Sequence, residues 1–231
     1  MQMKTIGIIG GISWVSSVDY YRLINEMINH RLGGVNGGRI ILYSVNYEDI
    51  KTLTFADDWN GMITMLTGIA RKLEAAGADC LLIGANTMHR IADPVQAAIS
   101  IPLIHIAVET AKAVQEKHIK KVALLGTKFT MELDFFPSKL AAQGIETIIP
   151  GDEDRQFLHD AIYEEMGKGL FLPATKARIL SMIEQLALQG AEGVIFGCTE
   201  IPLLIQDREC VLPVFNTTLI HAGAAVRFAL K

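Results

Sequence analysis

Along the chain, short runs dominated by Val, Ile and Leu alternate with longer stretches in which apolar residues recur every third or fourth position. The first pattern is that of strands buried on both faces, the second that of helices with one apolar side. It predicts strands at 5–9, 39–45, 80–83, 103–104, 121–125, 145–148, 193–196 and 214–215. Helices are predicted at 18–31, 59–76, 107–117, 130–143, 154–168 and 173–189. Strands alternating with helices of this length make βαβ units, so the fold class is α/β with parallel sheets flanked by helices.

Two echoes divide the pattern. "KTIGIIGG" from Lys4 resembles "KVALLGTK" from Lys121, an offset of 117, and "GADCLLIGANTMHR" from Gly77 resembles "GAEGVIFGCTEIPL" from Gly190, an offset of 113. Either alone could be a common helix-to-strand loop. Together they predict two pseudo-symmetric α/β lobes, the first formed by residues 1–115 and 213–231 and the second by 116–212. In the second echo Ala85 falls opposite Cys198, so one copy carries a thiol and the other a methyl group.

Composition narrows the partners more than the fold. A chain of 231 residues can bury about 70–75% of its unfolded surface without staples. The net charge of −4 offers no basic face, so nucleic acid is not an expected partner. No apolar run is long enough to cross a bilayer, so no membrane partner is expected either. The N-terminal segment reads as a first strand rather than a leader. Three cysteines without a CxxC pair or a zinc-type histidine spacing argue against a disulfide scaffold and a metal site. The expectation is a soluble, cytoplasmic protein.

In open parallel sheets ligands bind beyond the carboxyl ends of the strands. Four such ends carry polar groups: "GGISW" (10–14), "GANTMH" (84–89), "GTKFT" (126–130) and "GCTE" (197–200). Glycine followed by Ser, Thr or Asn at a helix start suits a carboxylate or phosphate oxygen. Ser13, Thr87, Thr130 and Thr199 can equally be ordinary N-caps. "GIIGG" lacks the G-x-G-x-x-G spacing and its downstream acid, which excludes a dinucleotide site of that kind. His89 and His221 are placed to approach the site, and His105 reads as a core residue. Cys198 is the sharpest candidate: glycine, thiol and hydroxyl stand together where an apolar strand gives way to a helix, a setting expected to be partly exposed and to lower a thiol pKa. Cys80, opening a strand, reads as a small buried hydrophobe.

The blocks "KTIGIIGGISW", "NTMH", "LLGTKFTME", "GVIFGCTEIPLL" and "LPVFNTTLIHA" resemble, in order and over nearly the whole chain, the cofactor-independent aspartate/glutamate/hydantoin racemase superfamily, closest to its aspartate/glutamate branch. The resemblance implies an amino acid held in a cleft between two lobes. One cysteine from each lobe flanks Cα there, one thiolate removing a proton and the opposite thiol supplying another. No pyridoxal phosphate, metal or other cofactor is implied, and homodimers are common in the family. Carried over, Cys198 matches the second catalytic cysteine and Glu200 the residue that would engage the substrate ammonium. Asn86 and Thr87 match the pair that would hold the α-carboxylate. Thr127 and Thr199 lie on matching loops, and Ile12 and Ser13 lie on the first loop. Lys168, with Lys51 or Thr54, would meet the distal carboxylate.

Two positions depart from the pattern. The first cysteine stands just before "NT", and here that residue is Ala85, which can neither donate nor accept a proton. Asn216 stands where the family's "PVFDT" carries an aspartate. The expected function is therefore racemisation of aspartate or glutamate, slow or one-sided, with Cys198 as acid/base and water or a neighbour such as His89 serving the other face. A single-cysteine decarboxylase of the arylmalonate type and an inactive amino-acid-binding relative are the alternatives.

Overall fold

The computed structural model describes residues 3–231. It has two compact units, one taking in the chain up to His105 together with His221–Lys231, the other Ile106–Ile220.

The first unit contains β1 (Ile6–Gly10), α1 (Trp14–Leu32), β2 (Ile40–Ser44), α2 (Tyr47–Phe55), α3 (Trp59–Ala75), β3 (Cys80–Ile83), a 3₁₀ turn (Thr87–Ile91) and α4 (Ala92–Ala97). Its sheet is parallel, in the order β2-β1-β3. Strand side chains alternate, and both faces of the inner strands are covered. Ile6, Ile8, Cys80 and Leu82 face Tyr20, Ile24 and Ile28 of α1 and the C-terminal residues Ala222, Ala225 and Val226. Ile9, Leu81 and Ile83 face Met62, Leu66, Ile69 and Leu73 of α3. This two-sided burial is why these strands read as unbroken apolar runs.

The second unit contains α5 (Ile106–Glu116), β4 (Lys121–Gly126), α6 (Lys128–Glu132), α7 (Pro137–Ala141), β5 (Glu146–Ile148), α8 (Asp152–Glu164), a 3₁₀ turn (Met166–Lys168), α9 (Pro173–Leu188), β6 (Gly193–Gly197), α10 (Ile201–Leu204) and β7 (Val214–Asn216). Its sheet is also parallel, in the order β5-β4-β6-β7. Val122, Leu124, Ile195 and Phe215 pack against Ile106, Ala111 and Val114 of α5, while α8 and α9 lie against β4. The last helix, α11 (Thr217–Ala229), contains the boundary between the units. Among the described residues no helix is long and apolar enough to cross a membrane.

The repeated "Gly-Ala-acid" has a physical cause. Gly77 (φ 95°) and Gly190 (φ 93°) take the left-handed conformation that ends α3 and α9. In each case the following alanine N–H returns to the helix, Ala78 to the Leu73 carbonyl at 3.1 Å and Ala191 to the Leu186 carbonyl at 3.0 Å. The acid then accepts a backbone N–H at the start of the neighbouring strand: Thr5 N donates to Asp79 at 2.6 Å, and Lys120 N to Glu192 at 3.0 Å.

The ladders refine the echoes by one residue. Ile6 pairs with Cys80 in the first sheet, and Val122 with Gly193 in the second. Cys80 and Gly193 are the positions matched by the second echo, so β3 and β6 keep that alignment. Ile6 then corresponds to Val122 and Gly10 to Gly126, one residue short of the match suggested by the two lysines. Ala85 and Cys198 remain equivalent, each the second residue beyond its strand's last common rung.

Three expectations are corrected. Residues 103–104 form only one parallel bridge, between Leu81 and Leu103, and no strand. The helix expected over 130–143 is two helices, because Leu133 turns to an extended conformation (φ −92°, ψ 148°) and Pro137 starts α7 afresh. Helix α1 begins at Trp14 rather than at residue 18. Trp14, Val18 and Tyr21 are all exposed, and this outward apolar stripe obscures the period at its first turns.

Candidate active site

In the second unit β6 ends at Gly197, and Cys198, Thr199 and Glu200 follow, all buried. Gly126, on the adjacent β4, gives close access to this turn, since a Cβ there would lie 2.7 Å from the Gly197 carbonyl oxygen. Glu200 is in a helical conformation (φ −93°, ψ −24°) at the start of α10. Its side chain turns back on its predecessors: Cys198 Sγ donates to Glu200 Oε2 at 3.1 Å, and Thr199 Oγ1 donates to the same oxygen at 2.9 Å. Thr127 caps α6, accepting from Thr130 N at 3.3 Å, with the two hydroxyl oxygens 3.2 Å apart.

The expected low thiol pKa is not what this turn produces. Burial pushes the Cys198 thiol well above its ordinary value, and the Glu200 carboxylate pushes it further. Main-chain N–H groups of Glu200 and Ile201 oppose this without reversing it. The expectation of partial exposure fails too, with 5% of Cys198 exposed. Tyr163 of α8 belongs to the same surroundings: burial raises its phenol, and the negative charges of Cys198 and Glu200 add to the effect. His159, one turn earlier, lies 4.9 Å from the Tyr163 ring centroid to centroid and accepts from Lys128 N at 3.2 Å. The motif reading passed over Tyr163 and His159, whose only signal is an (i, i+4) aromatic pair on the helix leading to Lys168. Lys168 itself is exposed and ion-paired with Glu164 at 2.5 Å.

The corresponding turn of the first unit is Gly84, Ala85, Asn86 and Thr87, with Ala85, Asn86 and Thr87 all buried. Ile12 and Ser13 are buried at the end of β1, where the Ser13 carbonyl accepts from Ser17 Oγ at 2.9 Å, and Ser17 Oγ accepts from Gly11 N at 2.7 Å. Thr54 is buried and donates to the Ile50 carbonyl at 2.7 Å. Lys51 lies over the Phe55 ring at 5.9 Å.

Where the second unit ties its thiol to a carboxylate, the first ties residue 85 to an imidazole. His89 Nδ1 lies 2.9 Å from the Ala85 carbonyl, which can only accept, so Nδ1 carries the proton. Burial holds this imidazole well below its ordinary pKa, and His105 and His221 contribute in the same direction. In the neutral ring that N–H is the only one, and it is already engaged by the carbonyl, so His89 is not placed to reprotonate a substrate. The three imidazoles form a cluster, His89 lying 4.7 Å from His105 and 5.6 Å from His221 between ring centroids. His221 Nε2 donates to the Ile104 carbonyl at 2.7 Å, and Nδ1 meets the Tyr20 hydroxyl at 2.8 Å.

Asn216 has a local task. Its Oδ1 accepts from Leu219 N at 3.1 Å, capping α11. Cys80 is fully buried and its thiol is pushed up to about 12, in keeping with a packing role. Among the described residues, no group of three or more His, Cys, Asp or Glu side chains is arranged to hold a metal ion.

Two parallel α/β units with polar strand ends and a single buried thiol at one of two equivalent turns define the class seen in the amino-acid racemases. The family profile for Asp/Glu/hydantoin racemase matches residues 9–225, and the chain belongs to that family. A crystal structure of a Yersinia pestis protein, solved as a candidate Asp/Glu racemase, is 43% identical with a TM-score of 0.91, covering 99% of this chain and 100% of the other. An aspartate racemase homologue from Pyrococcus horikoshii OT3 is 33% identical with a TM-score of 0.85, again covering 99% and 100%. The broad-specificity amino-acid racemase RacX of Bacillus subtilis is 25% identical over 227 residues, 96% of each chain.

Proposed function

We propose that the protein is an amino-acid racemase acting on aspartate or glutamate without pyridoxal phosphate or metal, with Cys198 as the acid/base at Cα. The observation that carries this reading is the ladder equivalence of Ala85 and Cys198, which leaves one thiol where the family mechanism uses two. Asn86, Thr87, Thr127 and Thr199 would supply donors to the α-carboxylate and to the enolate-like state formed when Cα loses its proton. Such donors supply the larger share of the acceleration, and acid–base transfer adds about 10²–10⁴-fold. Ile12 and Ser13 would border the substrate, Lys168 and Thr54 would serve its distal carboxylate, and Glu200 its ammonium group.

With a methyl group at position 85, racemisation is slow or confined to one direction, and the unassisted face takes its proton from water. A second reading, a decarboxylase that protonates a carbanion with one cysteine, is favoured by the same single thiol. Incubation of each enantiomer of aspartate and glutamate in heavy water tests both. The expected result is deuterium at Cα of one enantiomer, with exchange abolished by Cys198→Ala. If every Cα proton survives in the native protein, racemase activity is excluded.

A further inference from the structure

Two donors converge on one oxygen at the Cys198 turn. Glu200 Oε2 accepts from the thiol at 3.1 Å and from the Thr199 hydroxyl at 2.9 Å, and Glu200 is 5% exposed. Neither donor carries a positive charge, so the carboxylate is held in a buried place by a hydroxyl and by an S–H that can itself ionise. The ionisable group facing the pair from α8 is Tyr163, neutral because burial raises its phenol, with His159 beyond it. Charge on the pair is therefore shared between sulfur and oxygen.

We infer that Glu200 is the resident proton partner of Cys198: the S–H bond breaks, an Oε2–H bond forms, and a thiolate beside a neutral carboxyl group replaces a thiol beside a carboxylate. The step is balanced, leaves the net charge unchanged and needs no co-reactant. Its consequence is that a deeply buried thiol becomes a base without sending a proton to solvent. Glu200 acts through Cys198, and this deepens the racemase reading, on which its catalytic meaning rests.

The test uses native protein carrying [¹³Cβ]cysteine, whose shift reports thiol ionisation, with Cys198 assigned by the signal lost in Cys198→Ser. Two groups that share a proton titrate as a pair, and either one reports both steps when they are coupled by more than about one pH unit. The Cys198 signal is expected to move in two steps in the native protein and in one step in Glu200→Gln. A single-step native curve overturns the inference, and that curve decides the matter even should Glu200→Gln fail to fold. No turnover is needed, so failure of the isotope exchange leaves this result standing. Exchange alongside a single-step curve removes the proton partner and keeps the racemase.

Discussion

The turn after β3 and the turn after β6 occupy the same rung of two similar ladders, yet they hold their second residue by opposite means. At Cys198 the side chain is engaged, by a carboxylate two residues on. At Ala85 only the main chain is engaged, by an imidazole four residues on. A scaffold can therefore be copied with its helix-ending glycines, strand-pinning acids and register intact while the reactive atom is present in one copy only. The chemistry lies in which atom of the turn is held, and the backbone pattern does not record it.

The largest way to break this comparison is to give the first turn a thiol. Ala85→Cys is expected to raise racemisation by about 10²–10⁴-fold, the usual worth of a placed acid or base, measured as circular dichroism of the product against time. If it folds and yet racemises no faster than the native chain, the two turns do not serve one substrate. Next come the two cores. Leu82→Ala and Leu124→Ala remove matched, fully buried leucines from the first and second sheets, and each is expected to cost about 2–5 kcal/mol in urea unfolding. A cost confined to one of them would show that only one sheet is tightly packed.

Acid sharpens the contrast next. His89 stays neutral when folded, whereas an unfolded chain takes up a proton at this residue as the pH falls below about 6.5. The unfolded state then binds more protons, so stability is complete above that pH. It declines below it by up to about 1.4 kcal/mol per pH unit. His89→Asn keeps an N–H for the Ala85 carbonyl and should flatten the decline, and equal slopes for the two proteins would contradict the assignment. The smallest effect belongs to Asn216. Asn216→Ala should cost about 1 kcal/mol through loss of the α11 cap, and Asn216→Asp should retain the cap in the same thermal assay.

How far these features were legible differs from one element to the next. Strands β1, β3, β4 and β6 could be read from sequence because both their faces are covered, which leaves unbroken runs such as "CLLI" and "VALLG". Helix α1 was readable only from its middle, since Trp14, Val18 and Tyr21 face outward. The Ala85–Cys198 match was visible because Gly77 and Gly190 begin identical turns, whereas the match between β1 and β4 needed the ladders to move it by one residue. What surrounds Cys198 was hidden. The return of Glu200 onto the sulfur depends on the turn after Gly197, and Tyr163 arrives from a helix 35 residues earlier in the chain. The sequence therefore suggested an open, acidic thiol where the folded chain holds a closed and weakly acidic one.

Gly126 gives one feature of this arrangement a practical use. The Gly197 carbonyl that its missing side chain admits belongs to the same peptide unit as the Cys198 N–H. Adding a methyl group at 126 would press on that unit from the neighbouring strand and tilt the sulfur without altering any polar group around it. For an engineer wishing to re-aim the nucleophile by tenths of an ångström, the adjusting screw is a residue on β4 that takes no part in the chemistry.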